Sequence, residues 1–278
     1  MIEGQPSRTA LSAAAARAAH QTLEHGAIHT DKLALPILGT DGAAMLEEAR
    51  TDPRRRPMRI FIACRSRFAE DAITTAVAHG LAQLVILGAG LDTFAYRHTH
   101  GDTLKIIEVD HPSTQAWKRE RLRQANIAIP PSLTYAPIDF ERETLRHALA
   151  QAGFDPARRS FFMWLGVVPY LTEAAIFATL STIAGLPGGA EVVFDYSEPP
   201  AQLAPETRQM HEAYAARVAA MGETWITHFE PDDLRARLTA ARFTTIEDLG
   251  IPDLARRYFP GHAPASGRHG AHVVRAAA

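Results

Sequence analysis

Gly88-Ala89-Gly90 and, 22 residues after Gly88, Asp110 are the residues of this chain whose types and spacing point most directly to chemistry. Glycine adopts backbone dihedrals closed to other residues and lets a ligand approach the main chain, so a Gly-x-Gly turn after an apolar run suits a nucleotide-type ligand. In a parallel sheet, an acid ending the next strand lies beside that turn, where its two oxygens can accept from both hydroxyls of a ribose. Either signal alone is weak, but the pair at this spacing is strong. A nicotinamide dinucleotide site would use the same acid, so the turn must discriminate. It reads Gly88-Ala89-Gly90-Leu91-Asp92-Thr93, without the third glycine that helps pack a helix near a pyrophosphate. Asp92 would repel a diphosphate and attract the sulfonium and ammonium of S-adenosylmethionine. S-adenosylmethionine is therefore the expected cofactor, with a nicotinamide-dependent oxidoreductase as the alternative.

Further candidates lie around this pair. Asp139 and Phe140 follow the third strand, where an adenine would reach. Asp139 can accept from its amino group and Phe140 can cover a ring face, against plainer roles as helix cap and core residue. Arg65 offers a bidentate fork to a free amino-acid carboxylate, with Arg59 and Arg67 as substitutes. His111, next to Asp110, is first a structural residue and second an adenosine contact. Tyr170, Tyr196, His211 and His228 are the polar residues expected nearest a methyl acceptor, although such residues more often serve packing. The chain shows no compact general-base constellation and no metal-ligand set. A carboxylate acceptor, ionised at neutral pH because its pKa is about 4, would need no base, whereas an alcohol would. The acceptor expected is thus a small molecule methylated on oxygen, at a carboxylate or an acidic hydroxyl.

These residues need strands to present them. Leu84–Leu87 is a short continuous apolar run ending in glycine, the pattern of a parallel strand buried on both faces. Strands are expected again at 104–109, 133–136, 161–165, 191–196, 243–249 and 271–274. Helices fall between them at 113–123, 142–150, 173–184 and 232–240. This alternation predicts an α/β fold with a doubly wound, mostly parallel, Rossmann-like seven-stranded sheet, its last two strands forming an antiparallel edge. An alanine-rich helix over 11–23 opens the chain, and a helix carrying Phe68, Ala72, Ile73 and Ala76 at helical spacing stops at Gly80. Gly39, Gly42 and the run Asp52-Pro53-Arg54-Arg55-Arg56-Pro57 read as punctuation, the arginines as a solvated turn. Residues 1–278 are expected to form one domain, with 1–57 a helical N-terminal extension. Residues 199–230, including a helix over 206–221, break the rhythm and form a cap or lid over the ligand cleft.

Composition narrows the class. A net charge of -2 offers no long-range attraction to polyanions, which argues against nucleic acid as a partner. A single cysteine, Cys64, cannot form an internal disulfide and is expected to pack as a small hydrophobe in a reducing cytoplasm. Residues 1–19 lack a continuous apolar stretch, and no run approaches the roughly 20 apolar residues of a spanning helix, so neither secretion nor membrane insertion is expected. The early helices are as well suited to a homo-oligomer contact as to covering the sheet of their own chain.

The chain resembles the leucine carboxyl methyltransferase family, in particular its bacterial small-molecule branch. The resemblance is carried by Arg65-Ser66-Arg67-Phe68-Ala69-Glu70-Asp71, by Val85 to Asp92 continued through Thr93-Phe94-Ala95-Tyr96-Arg97, by Glu108-Val109-Asp110-His111-Pro112, by Asp139-Phe140, and by Trp164 to Leu171. It implies that Arg65 binds the methionine carboxylate and that Gly88 and Gly90 line the methionine end. It implies further that Asp110 holds the ribose and that Asp139 and Phe140 address the adenine. Leu165 stands where the family motif elsewhere has a glutamate, which argues against a protein-terminus substrate of the eukaryotic type. The same departure leaves a cofactor-binding protein without transfer activity as a second alternative.

Overall fold

A computed structural model describes residues 7–101, 103–138, 143–259 and 270–278. Seven strands form one sheet: β1 (Gln83–Leu87), β2 (Lys105–Asp110), β3 (Leu133–Pro137), β4 (Ser160–Trp164), β5 (Ala190–Ser197), β6 (Thr245–Gly250) and β7 (Ala271–Ala277). Their order is β3-β2-β1-β4-β5-β7-β6. The first five are mutually parallel, and β7 runs antiparallel between β5 and β6. The doubly wound sheet with an antiparallel edge is therefore present.

The helices are α1 (Arg8–Leu23), α2 (Gly42–Thr51), α3 (Arg56–Ala78), α4 (Phe94–Arg97), α5 (Pro112–Gln124), α6 (Leu145–Gln151), α7 (Glu173–Ala184), α8 (Pro205–Ala220), α9 (Pro231–Ala240) and α10 (Ile251–Tyr258). Side chains of a strand alternate between faces, so Val85 and Leu87 enter one apolar layer with Ile176 and Leu180 of α7 and Leu234 of α9. Leu84 and Ile86 enter the other, with Phe68, Ala72 and Ile73 of α3. A third, smaller cluster joins Ala14 and Ala18 of α1 to Leu91 and Leu122, which fastens the N-terminal helices to the end of the sheet that carries the glycine turn.

Two expectations need correction. The arginine run is only partly a turn: Pro53–Arg55 is a short 3-10 segment and Arg56 already opens α3, twelve residues before the first apolar repeat at Phe68. Pro57 reads as a breaker in sequence, but in the first helical turn its missing N–H costs nothing. Between the last two strands, α10 was not anticipated; Pro252 again sits in its first turn.

Candidate functional site

The strand order reverses between β1 and β4, and a doubly wound sheet opens a crevice beyond the strand ends at such a point. A cavity of about 2400 Å³ occupies this place, lined by residues 88–92 after β1, Asp110 and His111 after β2, and 165–167 after β4. The turn is sewn to the end of β2: the amides of Gly88 and Ala89 both donate to the Val109 carbonyl, at 2.8 and 3.2 Å. Gly88 has a φ of +64°, and a Cβ there would stand 2.4 Å from Val167; Gly90 has a φ of +44°, and a Cβ would stand 2.9 Å from Ala10. Both positions thus require glycine twice over, for conformation and for the close approach of the β4 loop and of α1.

Asp110 is held by the main chain. One carboxylate oxygen accepts from the Gly90 amide at 2.6 Å and the other from the His111 amide at 2.7 Å. A carboxylate offers about four lone-pair sites, so each oxygen keeps one for a ligand hydroxyl. Burial pushes the carboxyl up, while the two backbone N–H groups pull it down. His111 caps α5: its Nδ1 accepts from the Ser113 amide at 3.3 Å and lies 2.7 Å from the Ser113 hydroxyl. The structural role expected of His111 is present, and the residue also lines the cavity. Asp92 is spent in part locally, since Oδ1 accepts from the Phe94 amide at 2.8 Å, yet it too lines the cavity.

Arg65 reaches the same cavity from α3. Its Nη1 donates to Asp195 Oδ2 at 2.5 Å, while Asp195 Oδ1 accepts from the Gly166 amide at 2.6 Å. Asp195 on β5 thereby ties α3 to the loop after β4. The Arg65 Nε is buried without a hydrogen-bond partner. A buried donor left unsatisfied costs roughly 1–3 kcal/mol. Of the substitutes, Arg59 forms a fork on Glu24 at 2.9 and 2.7 Å but lines the cavity too and leaves its Nη1 buried without a hydrogen-bond partner, while Arg67 pairs with Asp71 at 2.7 Å. Sequence reading missed Asp195, whose only local sign is an acid inside an otherwise apolar strand end.

Behind the turn lies a charged network that was also unforeseen. Arg17 of α1 donates to the Leu91 carbonyl at 2.7 Å and pairs with Asp31 at 3.0 Å. Arg97 contacts Asp31 at 3.3 Å and also pairs with Glu70, which His29 reaches at 2.8 Å. Burial alone would raise the Glu70 carboxyl, but the hydrogen bonds from His29 and Arg97 bring it down to about 2. Cys64 is buried as expected, and burial pushes its thiol up to about 12.

The four acceptor-side candidates separate. Tyr170 and His211 line the cavity. Tyr196 reaches its wall, but the hydroxyl donates to Asp248 at 2.8 Å and the ring stacks on His272. His228 stands behind His211, with the two Nε2 atoms 3.3 Å apart. Asp139 and Phe140 lie outside the described residues. Among the described residues no group of three or more His, Cys, Asp and Glu is placed to hold a metal, and no helix is long and apolar enough to cross a membrane.

The sheet order and the strand-end crevice define a protein of the class I methyltransferase fold. Solved structures agree at the level of fold. A Thermobifida fusca YX protein described as a methyltransferase superposes with a TM-score of 0.57 at 15% identity, covering 99% of this chain and 96% of its own. A DUF574 family protein from Streptomyces avermitilis gives 0.52 at 15% identity, covering 94% and 95%. The family model for leucine carboxyl methyltransferase matches residues 10–184. The chain belongs to that family of S-adenosylmethionine-dependent enzymes, which sets aside the nicotinamide reading. YktD of Bacillus subtilis (strain 168), which bears the name of an S-adenosyl-L-methionine-dependent methyltransferase, is 32% identical over 197 residues, 70% of this chain and 64% of YktD. A similarly named protein of Mycobacterium ulcerans (strain Agy99) is 31% identical over 272 residues, 91% of this chain and 83% of its own. The chain thus spans just under two thirds of YktD and most of the mycobacterial relative.

Proposed function

We propose that this chain transfers the methyl group of S-adenosylmethionine to an oxygen of a small molecule, at a carboxylate or an acidic hydroxyl. The observation that carries the reading is the Asp110 carboxylate, fixed by two backbone amides at the mouth of β2 with a lone pair left on each oxygen, beside the glycine turn. The family assignment supplies the donor, and the cavity residues fit it. Asp110 would hold the ribose hydroxyls, Arg65 through its unsatisfied Nε the amino-acid carboxylate, and Asp92 the cationic end. Asp139 and Phe140 would address the adenine.

The cofactor supplies an electrophilic methyl carbon on a sulfonium. The task left to the protein is to orient an oxygen for in-line attack at roughly 3–3.5 Å and to exclude water. Residues 199–230 serve as the cap in this reading and residues 1–57 as an extension that closes the cavity from the other side, within one domain. The acceptor side has an apolar and aromatic wall in Met210, Tyr214, Met221 and Trp225. Methionine adapts its shape to irregular ligands, which suits a hydrophobic acceptor.

Calorimetric titration with S-adenosylhomocysteine tests the cofactor site. Hydrogen bonds to a charged group are worth roughly 1.5–3 kcal/mol each. The Asp110→Ala variant, which loses two such bonds, is expected to bind at least about 100-fold more weakly than wild type, each tenfold corresponding to about 1.4 kcal/mol. Equal affinity would remove Asp110 from the ribose, and a wild-type protein that takes up no S-adenosylhomocysteine would end the reading. Cofactor binding without turnover across a broad panel of acids and phenols would select the degenerate binding protein instead.

A further inference from the structure

We infer that His211, oriented by His228, is the base that takes the proton from a hydroxyl-bearing acceptor, so that the substrate is a phenol or enol rather than a carboxylate. The inference rests on the methyl-transfer reading and narrows it. His211 lies on α8 and faces the cavity beside Trp225, its ring centroid 5.2 Å from the indole. The Nε2 atoms of His211 and His228 approach to 3.3 Å. Two facing ring nitrogens form a hydrogen bond only when one carries a proton and the other does not, so the contact fixes complementary tautomers.

With the proton on His211 Nε2 and the lone pair on His228 Nε2, the nitrogen that His211 has left is an unprotonated Nδ1. The charge His211 gains on taking a second proton is then shared toward His228, in the manner of a base held by a third group. Burial lowers both imidazoles below their ordinary value; for His211, His228 adds to the lowering and Glu212 on the same helix opposes it. Both rings are thus neutral at pH 7 and competent to accept. A carboxylate acceptor is already ionised at pH 7 and needs no base, whereas a hydroxyl that is still protonated gains from one.

The proton balance is closed. The acceptor O–H bond breaks and its proton passes to His211 Nδ1. The oxygen electron pair forms the new O–C bond as the S–C bond breaks, and the pair released stays on sulfur as the thioether. Solvent recovers the proton from His211 when the cavity opens.

The test uses the full chain saturated with S-adenosylhomocysteine and 4-nitrophenol as the probe, whose phenolate is seen by its absorbance. The bound probe is expected to ionise at lower pH than the free probe. The shift should vanish in His211→Phe and in His211→Gln and shrink in His228→Phe, with S-adenosylhomocysteine affinity unchanged to within about twofold. With S-adenosylmethionine as donor, transfer to 4-methylphenol, whose hydroxyl stays protonated at pH 7, should fall about 100-fold in His211→Ala and recover in part on adding imidazole, an effect that a packing role would not produce. A probe that does not bind or that ionises equally in the His211 variants overturns the inference, as does 4-methylphenol methylated without loss in His211→Ala. So does faster transfer to benzoate than to 4-nitrophenol. If wild type fails to bind S-adenosylhomocysteine, it is the methyl-transfer reading itself that falls.

Discussion

Arg65 and Asp195 are 130 residues apart in sequence and form one device. Asp195 holds one arm of the guanidinium and the Gly166 amide together, so the fork is oriented before any ligand arrives, and its Nε is left without a partner. Fixing an arginine in advance removes ordering cost from binding. If Arg65 receives the amino-acid carboxylate, Arg65→Ala should weaken S-adenosylhomocysteine roughly 10- to 100-fold, the worth of one charged hydrogen bond. The same change should leave 5′-methylthioadenosine, which lacks the amino-acid end, within about twofold. Equal losses for both ligands in parallel titrations would mean that the variant had only damaged the fold. Arg65 was singled out in the sequence because an anionic amino-acid end calls for a cation, and the structure places it on the cavity wall. Asp195 was not, because its partner is set by how α3 crosses the sheet, and nothing in Val193-Phe194-Asp195-Tyr196 announces that crossing.

At the scale of elements, the N-terminus of α1 is held by the segment that follows α8. Glu223 accepts from the Ser7 and Thr9 hydroxyls at 3.1 and 2.7 Å and from the Arg8 and Thr9 amides at 3.1 and 3.4 Å. A carboxylate at the positive end of a helix contributes roughly 0.3–1 kcal/mol, more when partly buried. This contact also joins the N-terminal extension to the segment expected to cap the cavity. Glu223→Gln keeps the shape and removes the charge. It should speed amide exchange in the first turns of α1, lower the melting temperature by only about 2–4 °C, and weaken S-adenosylhomocysteine, because α1 presses Ala10 against Gly90. Unchanged exchange in α1 would show the latch to be idle. Both helices were legible from alanine content and length, and α7 was placed to the residue, since intrinsic propensity and amphipathic spacing are local. The start of α3 was missed because proline reads as a breaker, yet Pro57 fits the first turn of a helix, as Pro252 does in α10, a segment to which the sequence reading assigned no element.

Across the whole molecule, the half of the cavity expected to hold the cofactor and the half expected to hold the acceptor differ in how much the sequence discloses. The family match ends at residue 184, so the glycine turn, Asp110 and Arg65 fall inside it while Asp195, His211 and His228 fall outside. Parallel strands buried on both faces show as continuous apolar runs, whereas β6 is half-exposed and its pairing with β7 depends on cross-strand partners distant in sequence. Those partners are polar: His272 on β7 contacts Asp248 on β6 at 2.8 Å and Glu198 beyond β5 at 3.3 Å, and Tyr196 on β5 stacks on its ring. Burial alone would lower the His272 imidazole, but the two carboxylates outweigh it and hold it above its ordinary value. A group raised in the folded state contributes stability that is complete below its unfolded pKa of about 6.5 and is lost as pH rises through the folded value. Glu70 behaves in the opposite sense: held at about 2, it contributes above its unfolded value near 4.3 and loses that contribution as pH falls toward 2. The stability that these two groups supply is therefore greatest between these limits, and comparison with single variants separates their shares from those of the lowered imidazoles His20, His211 and His228, which act in the opposite sense to His272. The difference in unfolding midpoint between wild type and His272→Gln should be largest near about pH 6 and narrow toward about pH 9, while Glu70→Gln should narrow its own gap only in acid. A His272 gap that stays constant from about pH 6 to about pH 9 would mean that the imidazole joins β5, β7 and β6 through its shape and hydrogen bonds alone, without its charge.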